Sequence, residues 1–162
     1  MKHIYLSLGS NIKDRIGHIE RALECLASSG VRILCVSSYY KTEPVDFHPQ
    51  AWFVNCVAEV TSDLMPRRLL KVCKEAERDV GRRPGVSKGP RRVDIDILLY
   101  DNVVLRSREL VIPHERMAER RFVLTPLAEL APEARHPVSL LTVREMLHAT
   151  DDRSRVIRMG PT

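Results

Sequence analysis

The sequence has no long hydrophobic run. No apolar stretch in its 162 residues approaches the roughly 18 that a membrane-spanning helix needs. The apolar stretch at residues 4–8 gives way at once to Gly9, Ser10 and charged residues, so it is too short for a signal peptide and indicates a strand. These absences argue against a membrane or secreted protein, and we expect a cytoplasmic location.

Cysteine is scarce and widely spaced. The four cysteines, Cys25, Cys35, Cys56 and Cys73, form no C-x-x-C pair and no Cys/His spacing suited to zinc. Each lies in an apolar pattern, where a free cysteine behaves as a small hydrophobic residue. We therefore expect four buried thiols and no disulfide.

Acidic residues are fewer than basic ones: 21 Asp and Glu against 26 Lys and Arg, which gives a net charge of +5. The excess is concentrated in residues 78–92, where Asp79 is the single acid among six basic side chains. Such a cluster favours an anionic ligand, either a polyphosphate or a nucleic acid. A Walker phosphate-binding loop and the protein-kinase signature are both absent, which excludes the common nucleotide-binding folds.

The periodicity of apolar residues predicts six elements in the order β-α-β-β-α-β. Strands are predicted at residues 3–8, 31–42, 53–61 and 93–100, and helices at residues 14–28 and 66–81. This order is typical of an α+β, ferredoxin-like sandwich, with both helices on one face of a mostly antiparallel sheet and the other face open. C-terminal additions follow: short strands near residues 103–105, a short helix near Arg116 and a last helix at residues 142–149. We expect one domain, residues 1–162.

Side-chain alternation predicts what the open face carries. Residues two apart in a strand share a face. The aliphatic residues of the first and third strands occupy even positions, so Phe53 and Asn55 should point away from the helices, as should Asp94 and Asp96 in the fourth strand. Two carboxylates, an aromatic ring and an amide are therefore expected on one surface.

The two carboxylates are the central chemical signal. Asp94 and Asp96 lie about 7 Å apart by strand rise and can hold hard cations such as Mg²⁺ through oxygen. A lone D-x-D more often marks two solvated acids. Here Arg91 and Arg92 precede it directly, so guanidinium groups can either clamp a metal-bound polyphosphate or simply pair with the aspartates.

Residues 89–98, G-P-R-R-V-D-I-D-I-L, resemble the G-P-R-x-x-D-x-D-[ILM]-[LM] signature of the 6-hydroxymethyl-7,8-dihydropterin pyrophosphokinase family. Further ordered matches are L-G-S-N at 8–11, S-S-Y-Y-K-T-E-P at 37–44, F-V-N at 53–55, V-I-P-H at 111–114 with Arg120 and Phe122, and P-L and A-P-E at 126–127 and 131–133. The resemblance covers nearly the whole chain. It departs at Lys88, where many relatives have tryptophan, and at Glu115, often tyrosine or proline.

The resemblance implies transfer of pyrophosphate from ATP to a hydroxymethyl-dihydropterin in folate synthesis, with two Mg²⁺ ions, by a protein expected to be a monomer without nucleic-acid or membrane partners. It implies metal ligands at Asp94 and Asp96; pterin contacts at Phe53, Asn55, Phe122 and near Thr42 and Val45; ATP contacts at Glu77, His114 and Arg120; and catalytic, phosphate-binding arginines at Arg82 and Arg91. It also implies that the loops at residues 43–50 and 81–89 close over the substrates.

Two other functions fit the residues alone. A metal-dependent nucleotidyltransferase also combines a G-S turn with D-x-D, and it would release pyrophosphate rather than AMP. A ferredoxin-like RNA-binding module is compatible with the charge, but the acids on the open face and the lack of an aromatic stripe count against it.

Overall fold

The computed structural model describes residues 2–44, 50–81 and 92–160. Val45, Arg82, Arg91 and most of the two predicted mobile loops lie outside these ranges. The helices and strands of the described residues are β1 Lys2–Ser10, α1 Arg15–Ala27, β2 Arg32–Val36, β3 Tyr40–Thr42, β4 Phe53–Ser62, α2 Pro66–Gly81, β5 Asp94–Tyr100, β6 Leu105–Arg106, β7 Val111–Ile112, a 3-10 turn Met117–Glu119, α3 Arg121–Leu130, α4 Val143–Ala149 and β8 Val156–Arg158. None of these helices is both long and apolar enough to cross a membrane.

The main sheet confirms the predicted ferredoxin-like topology. β5 lies at one edge, followed by β1 and β4, and both β2 and β3 pair with the far side of β4. Every pairing is antiparallel. The single strand predicted at residues 31–42 is instead two strands, because the Ser37 hydroxyl accepts the hydrogen bond of the Val57 N–H at 2.9 Å, where a strand carbonyl would otherwise serve.

One face of the sheet packs on α1 and α2, as the alternation predicts. Ile4, Leu6 and Leu8 of β1 are fully buried there, together with Ile19 of α1 and Leu69 of α2. Complete burial of such an aliphatic side chain stabilises the fold by about 1.5–3 kcal/mol. The odd-numbered residues of β1 and β4 are thereby turned to the opposite face.

The prediction that the opposite face is open is wrong over part of its area. A second core covers it, in which Val57 of β4 packs with Leu124 and Leu127 of α3 and with Met146 of α4. Helix α3 was not predicted, since Pro126 lies inside it and proline is an unfavourable signal within a helix. Strand β8 was also missed, whereas α4 and the turn near Arg116 were predicted.

The four cysteines are free, but they are not all buried. Cys56 and Cys73 lie in the core, where burial raises the pKa of each thiol to about 12. Cys25 is half-buried and Cys35 is exposed. Cys35 pairs with Glu59 across the sheet and so shares its face, away from α1 and α2. The prediction of four buried thiols is therefore confirmed for Cys56 and Cys73, met only in part by Cys25 and wrong for Cys35.

Candidate active site

A cavity of about 580 Å³ lies at the end of the sheet where β1 and β3 finish and β4 and β5 begin. The first turn of α3 and the second half of α2 close two of its sides. Its lining combines acidic, basic, amide and aromatic side chains: Ser7, Gly9, Thr42, Glu43, Pro44, Gln50, Phe53, Asn55, Lys74, Glu77, Asp94, Asp96, Arg116, Arg120 and Phe122. It lies on the part of the sheet face that α3 and α4 leave uncovered.

The acidic pair occupies the start of the edge strand. Asp94 pairs with Gly9 and Asp96 with Ser7 across the β1–β5 ladder, and all four residues line the cavity. Asp94 is exposed and Asp96 is half-buried. The alternation argument thus placed both carboxylates correctly on one surface.

Glu77 lies beneath the acidic strand. It is 2% exposed, and its Oε2 accepts a hydrogen bond of 2.8 Å from the backbone N–H of Ile95, the residue between the two aspartates. Its Oε1 lies 3.4 Å from the Lys74 ammonium, one helical turn away. Glu77 therefore anchors the edge strand to α2, besides lining the cavity.

The amide of Asn55 forms the floor of the cavity near β1. Asn55 is 4% exposed, and its Nδ2 donates a hydrogen bond of 2.6 Å to the Thr42 hydroxyl on the neighbouring strand. Asn55 pairs with Gly9 on its other side, and a β-carbon at Gly9 would lie 2.2 Å from the amide oxygen. The absence of a side chain at Gly9 therefore makes room for the amide.

The two phenylalanines approach the cavity from different elements. Phe53 is the first residue of β4 and Phe122 lies in the first turn of α3, and both are half-buried. The Arg120 guanidinium lies over the Phe122 ring at 5.6 Å from its centroid. The buried Nε of Arg120 has no hydrogen-bond partner within the described ranges. The cavity lining thus includes a cationic side chain with one buried donor that is not hydrogen-bonded within the described residues.

His114 is separated from the main cavity. Its backbone N–H donates to the Leu98 carbonyl at 2.9 Å, and its ring lines a smaller cavity of about 90 Å³ with Glu115 and His136. Burial lowers the pKa of His114 below its ordinary value, although the Asp96 carboxylate acts in the opposite direction. The structure thus places His114 near the acidic pair but outside the lining of the 580 Å³ cavity.

Seven of the fifteen lining residues received no role from sequence reasoning, and three of these, Ser7, Lys74 and Arg116, also lie outside the matched motifs and predicted loops. Lys74 could have been found, because it lies three residues before Glu77 and so shares its face of α2. Arg116 had no such signal. Of the predicted site residues, Thr42, Phe53, Asn55, Glu77, Asp94, Asp96, Arg120 and Phe122 converge on the cavity. Val45, Arg82 and Arg91 fall outside the described residues.

The fold is that of a known class of solved structures. A crystal structure of Plasmodium falciparum HPPK-DHPS superposes with a TM-score of 0.73 at 16% identity, covering 91% of this chain and 45% of that one. A crystal structure of HPPK-DHPS in complex with substrates gives a TM-score of 0.70 at 15% identity. At such low identity the likeness establishes the shared ferredoxin-like α+β fold alone.

Sequence comparisons establish the family. The model of the 7,8-dihydro-6-hydroxymethylpterin-pyrophosphokinase (HPPK) family matches residues 5–132. The 2-amino-4-hydroxy-6-hydroxymethyldihydropteridine pyrophosphokinase of Methylorubrum extorquens is 40% identical over 93% of this chain and 95% of its own length. The Bacillus subtilis protein of the same name is 41% identical over 80% of this chain and 78% of its own length. The chain belongs to the 7,8-dihydro-6-hydroxymethylpterin-pyrophosphokinase family.

Some relatives are much longer than this chain. The folic acid synthesis protein fol1 of Schizosaccharomyces pombe is 42% identical over 90% of this chain, yet the match covers 20% of that protein. The corresponding match to the Pneumocystis carinii protein covers 19% of its length. The chain therefore spans about a fifth of these fungal relatives.

Proposed function

We propose that this chain transfers the pyrophosphoryl group of ATP to 6-hydroxymethyl-7,8-dihydropterin, giving AMP and the pterin diphosphate, in folate biosynthesis. One observation carries the proposal: two carboxylates, a buried amide and two aromatic rings line one cavity of about 580 Å³ in a member of this family. Carboxylates suited to phosphoryl transfer and aromatic and amide groups suited to binding a flat heterocycle therefore line the same cavity.

The heterocycle half of the site is proposed to consist of Phe53, Phe122, Asn55 and the chain near Thr42 and Val45. A flat polar heterocycle binds well between aromatic faces, with a few hydrogen-bonding groups to fix its orientation. Asn55 suits that task because the Thr42 hydroxyl already holds its amide in one orientation. Its burial adds to the strength of any hydrogen bond that it makes with a ligand.

Asp94 and Asp96 are proposed to hold two Mg²⁺ ions. The described residues contain no group of three or more His, Cys, Asp or Glu side chains able to enclose a metal ion. A pair of carboxylates facing an open cavity nevertheless suits Mg²⁺, which takes one or two protein carboxylates and completes its shell with water and phosphate oxygens. Bound there, Mg²⁺ would neutralise charge on the ATP phosphates.

Cationic side chains around the cavity are proposed to bind the nucleotide. The cavity lining includes three of them, Lys74, Arg116 and Arg120. The buried Nε of Arg120 makes no hydrogen bond within the described part of the chain. Glu77 and His114 remain proposed ATP contacts. Arg82 and Arg91 are proposed to stabilise the charge that develops on the transferred group.

The proposed reaction is in-line attack of the pterin hydroxymethyl oxygen on the β-phosphorus of ATP. The new O–P bond forms as the bond from the β-phosphorus to the α,β-bridging oxygen breaks, and AMP leaves with that oxygen while the hydroxyl proton passes to solvent. Holding two substrates in reacting geometry can supply most of the acceleration without a dedicated base. The protein's contribution is therefore chiefly positioning and charge stabilisation.

The proposal also covers domain organisation, oligomeric state and location. Residues 1–162 are proposed to form a single pyrophosphokinase domain that acts as a monomer in the cytoplasm without nucleic-acid or membrane partners. Support comes from the main sheet, whose strands run from Lys2 to Arg158. Size-exclusion chromatography with light scattering tests the monomer.

Phosphorus NMR of a mixture of protein, Mg-ATP and reduced hydroxymethyl-pterin tests the reaction. AMP and a pterin diphosphate are expected, whereas free pyrophosphate would indicate a nucleotidyltransferase. Asp94→Ala and Asp96→Ala should abolish turnover. Asp63→Asn, which removes one exposed charge away from the cavity, serves as the control. Near-normal activity in either alanine variant would defeat the metal assignment.

A further inference from the structure

The chain beyond α4 contacts both sides of the proposed heterocycle slot. This C-terminal segment, residues 150–158, lies past the residues 5–132 that the family model matches. Its last part is β8, which pairs with β3, so that Thr42 lies opposite Val156 and Tyr40 opposite Arg158. The short strand that carries Thr42 thus has a hydrogen-bonded neighbour on each side.

On the Phe53 side of the slot, the segment makes its contacts through Arg155. The Glu43 N–H donates to the Arg155 carbonyl at 3.1 Å, and the Arg155 N–H donates to Glu43 Oε1 at 2.6 Å. The Arg155 guanidinium also lies 5.3 Å from the centroid of the Trp52 ring. Trp52 directly precedes Phe53, and Glu43 directly follows Thr42, which lies opposite Phe53 in the β3–β4 ladder. Arg155 therefore contacts residues adjoining the first aromatic wall.

On the Phe122 side of the slot, the segment makes its contacts through Asp152. Helix α3 begins at Arg121, and its N-cap residue, Arg120, supplies no side-chain cap. Asp152 Oδ2 instead accepts the Arg121 N–H at 2.8 Å, and Arg121 Nη1 donates to the Ser154 carbonyl at 3.1 Å. A carboxylate at this position satisfies a helix N–H that would otherwise lack a partner. Phe122, the next residue, is thereby fixed relative to the C-terminal segment.

The Asp152 carboxylate is itself held in place. Ser154 donates to its Oδ1 from the backbone at 2.9 Å and from the hydroxyl at 2.5 Å. Burial alone would raise the pKa of Asp152, but the hydrogen bonds from Ser154 and the Arg121 N–H hold it below its ordinary value. Asp152 is therefore charged at neutral pH, as a helix N-terminal contact requires.

We infer that the C-terminal segment is a positioning element that, together with the direct packing of α3 on the sheet, sets the spacing of the two aromatic walls. It therefore affects affinity for the heterocyclic substrate more than affinity for the nucleotide. The inference rests on the proposed function. The walls come from positions far apart in the sequence, Phe53 and Phe122, and residues 150–158 contact residues next to each: the Trp52 ring beside Phe53 and the Arg121 N–H beside Phe122. Within the described chain, none of those residues lines the 580 Å³ cavity, so Asp152 and Arg155 act through other residues.

The test is to compare Asp152→Ala, Arg155→Ala and their combination with the wild type, measuring KM for each substrate and kcat. Each single variant should raise KM for the pterin by about 10-fold, corresponding to about 1.4 kcal/mol, with kcat within about 2-fold. The ATP KM should stay within about 2-fold in Arg155→Ala. In Asp152→Ala it should rise less than the pterin KM, because Arg121 adjoins Arg120 as well as Phe122. Asp152→Asn keeps an acceptor for the Arg121 N–H and should recover most of the loss. Arg153→Ala is the matched control, because Arg153 contacts only the Thr150 carbonyl among the hydrogen bonds of the described residues.

Fluorescence gives a second readout that a general loss of structure would not reproduce. Trp52 is the single tryptophan in the sequence and reports on the first wall. Arg155→Ala should change its emission in the free protein, while Asp152→Ala should leave that emission unchanged and still weaken pterin binding. Urea unfolding confirms that each variant is folded under the assay conditions.

The outcomes separate this inference from the proposed function. If the wild type neither binds the pterin nor forms AMP, the proposed function fails, and the inference fails with it. If the wild type is active and the double variant keeps the wild-type pterin KM, the inference alone is overturned. An equal change in both KM values or in kcat would also overturn it, since the segment would then support the whole fold rather than the slot.

Discussion

Replacing Gly9 by alanine should weaken heterocycle binding indirectly, because the new methyl group would displace the side chain of Asn55 on the neighbouring strand. A β-carbon at position 9 would lie 2.2 Å from Asn55 Oδ1 and 3.3 Å from its Cγ. An ordinary contact is 3.4–4 Å, so the amide oxygen must move by roughly 1 Å. Asn55 is buried between β1 and β3, so such a shift would turn the amide out of its present orientation and distort its 2.6 Å hydrogen bond to Thr42.

The magnitude follows from the hydrogen bonds that the shift disrupts. Losing two hydrogen bonds between Asn55 and the heterocycle, at about 1 kcal/mol each, should raise the dissociation constant for the pterin about 30-fold. Overpacking at Gly9 adds a loss of stability of about 1–3 kcal/mol, which an ordinary domain tolerates. ATP binding should change by less than about 3-fold, because the three atoms nearest the new β-carbon belong to Asn55 and Val54 and none belongs to Asp94, Lys74 or Arg120.

Isothermal titration with the pterin and, separately, with an unreactive ATP analogue measures both affinities. Gly160→Ala is the matched control, because a β-carbon there would meet nothing within 4 Å. In the Asn55→Ala background, Gly9→Ala should cause almost no further loss of pterin affinity. A full 30-fold loss in that background, or an equal loss of both ligands, would refute the reasoning.

Three further predictions concern the structure around the site. Glu77→Ala should lower the free energy of unfolding by about 2–4 kcal/mol, since the buried Ile95 N–H loses its charged acceptor, and urea titration should show Glu77→Gln to be milder. Because the pKa of Asp152 is lowered in the folded protein, its stabilisation is complete above about pH 4 and disappears as the pH falls through the folded-state pKa. The stability difference between wild type and Asp152→Asn should therefore narrow on going from pH 6 to pH 3, whereas a constant difference would contradict it. Cys35 should react with a thiol reagent in the native protein and Cys56 should not, as peptide mapping after labelling would show.

Much of the site was predictable because β-strands alternate strictly. Asp94 and Asp96 could be placed on one surface from parity alone, and the same argument placed Asn55 there with them. The burial of Ile4, Leu6 and Leu8 against the helices confirms the parity used. Local pattern was sufficient here, because each prediction needed only the direction of a side chain within one strand.

The parts that sequence reasoning missed depend on long-range contacts. The Arg121 N–H is capped by Asp152, which follows it by 31 residues, and no local pattern announces such a cap. Strand β8 has three residues and is defined by its pairing with β3, far earlier in the chain. The exposure of Cys35 was also missed. The apolar run of β2 does not indicate which face of the sheet the side chain occupies, whereas its pairing with Glu59 does.

These long-range contacts have a functional consequence because they meet at the cavity. The ferredoxin-like sheet provides the floor, where Gly9 and Asn55 face each other across one ladder. A sheet alone, however, supplies only one aromatic wall, since Phe53 belongs to β4 and Phe122 to the added helix α3. The relation between the two walls depends on what joins β3 and β4 to α3. The packing of β4 on α3 and the hydrogen bond from the Tyr40 hydroxyl to Glu129 of α3 make part of that connection, and the contacts of Asp152 and Arg155 make the rest. Affinity for the heterocyclic substrate should accordingly respond to changes in the C-terminal segment as well as to changes in the residues that touch the substrate.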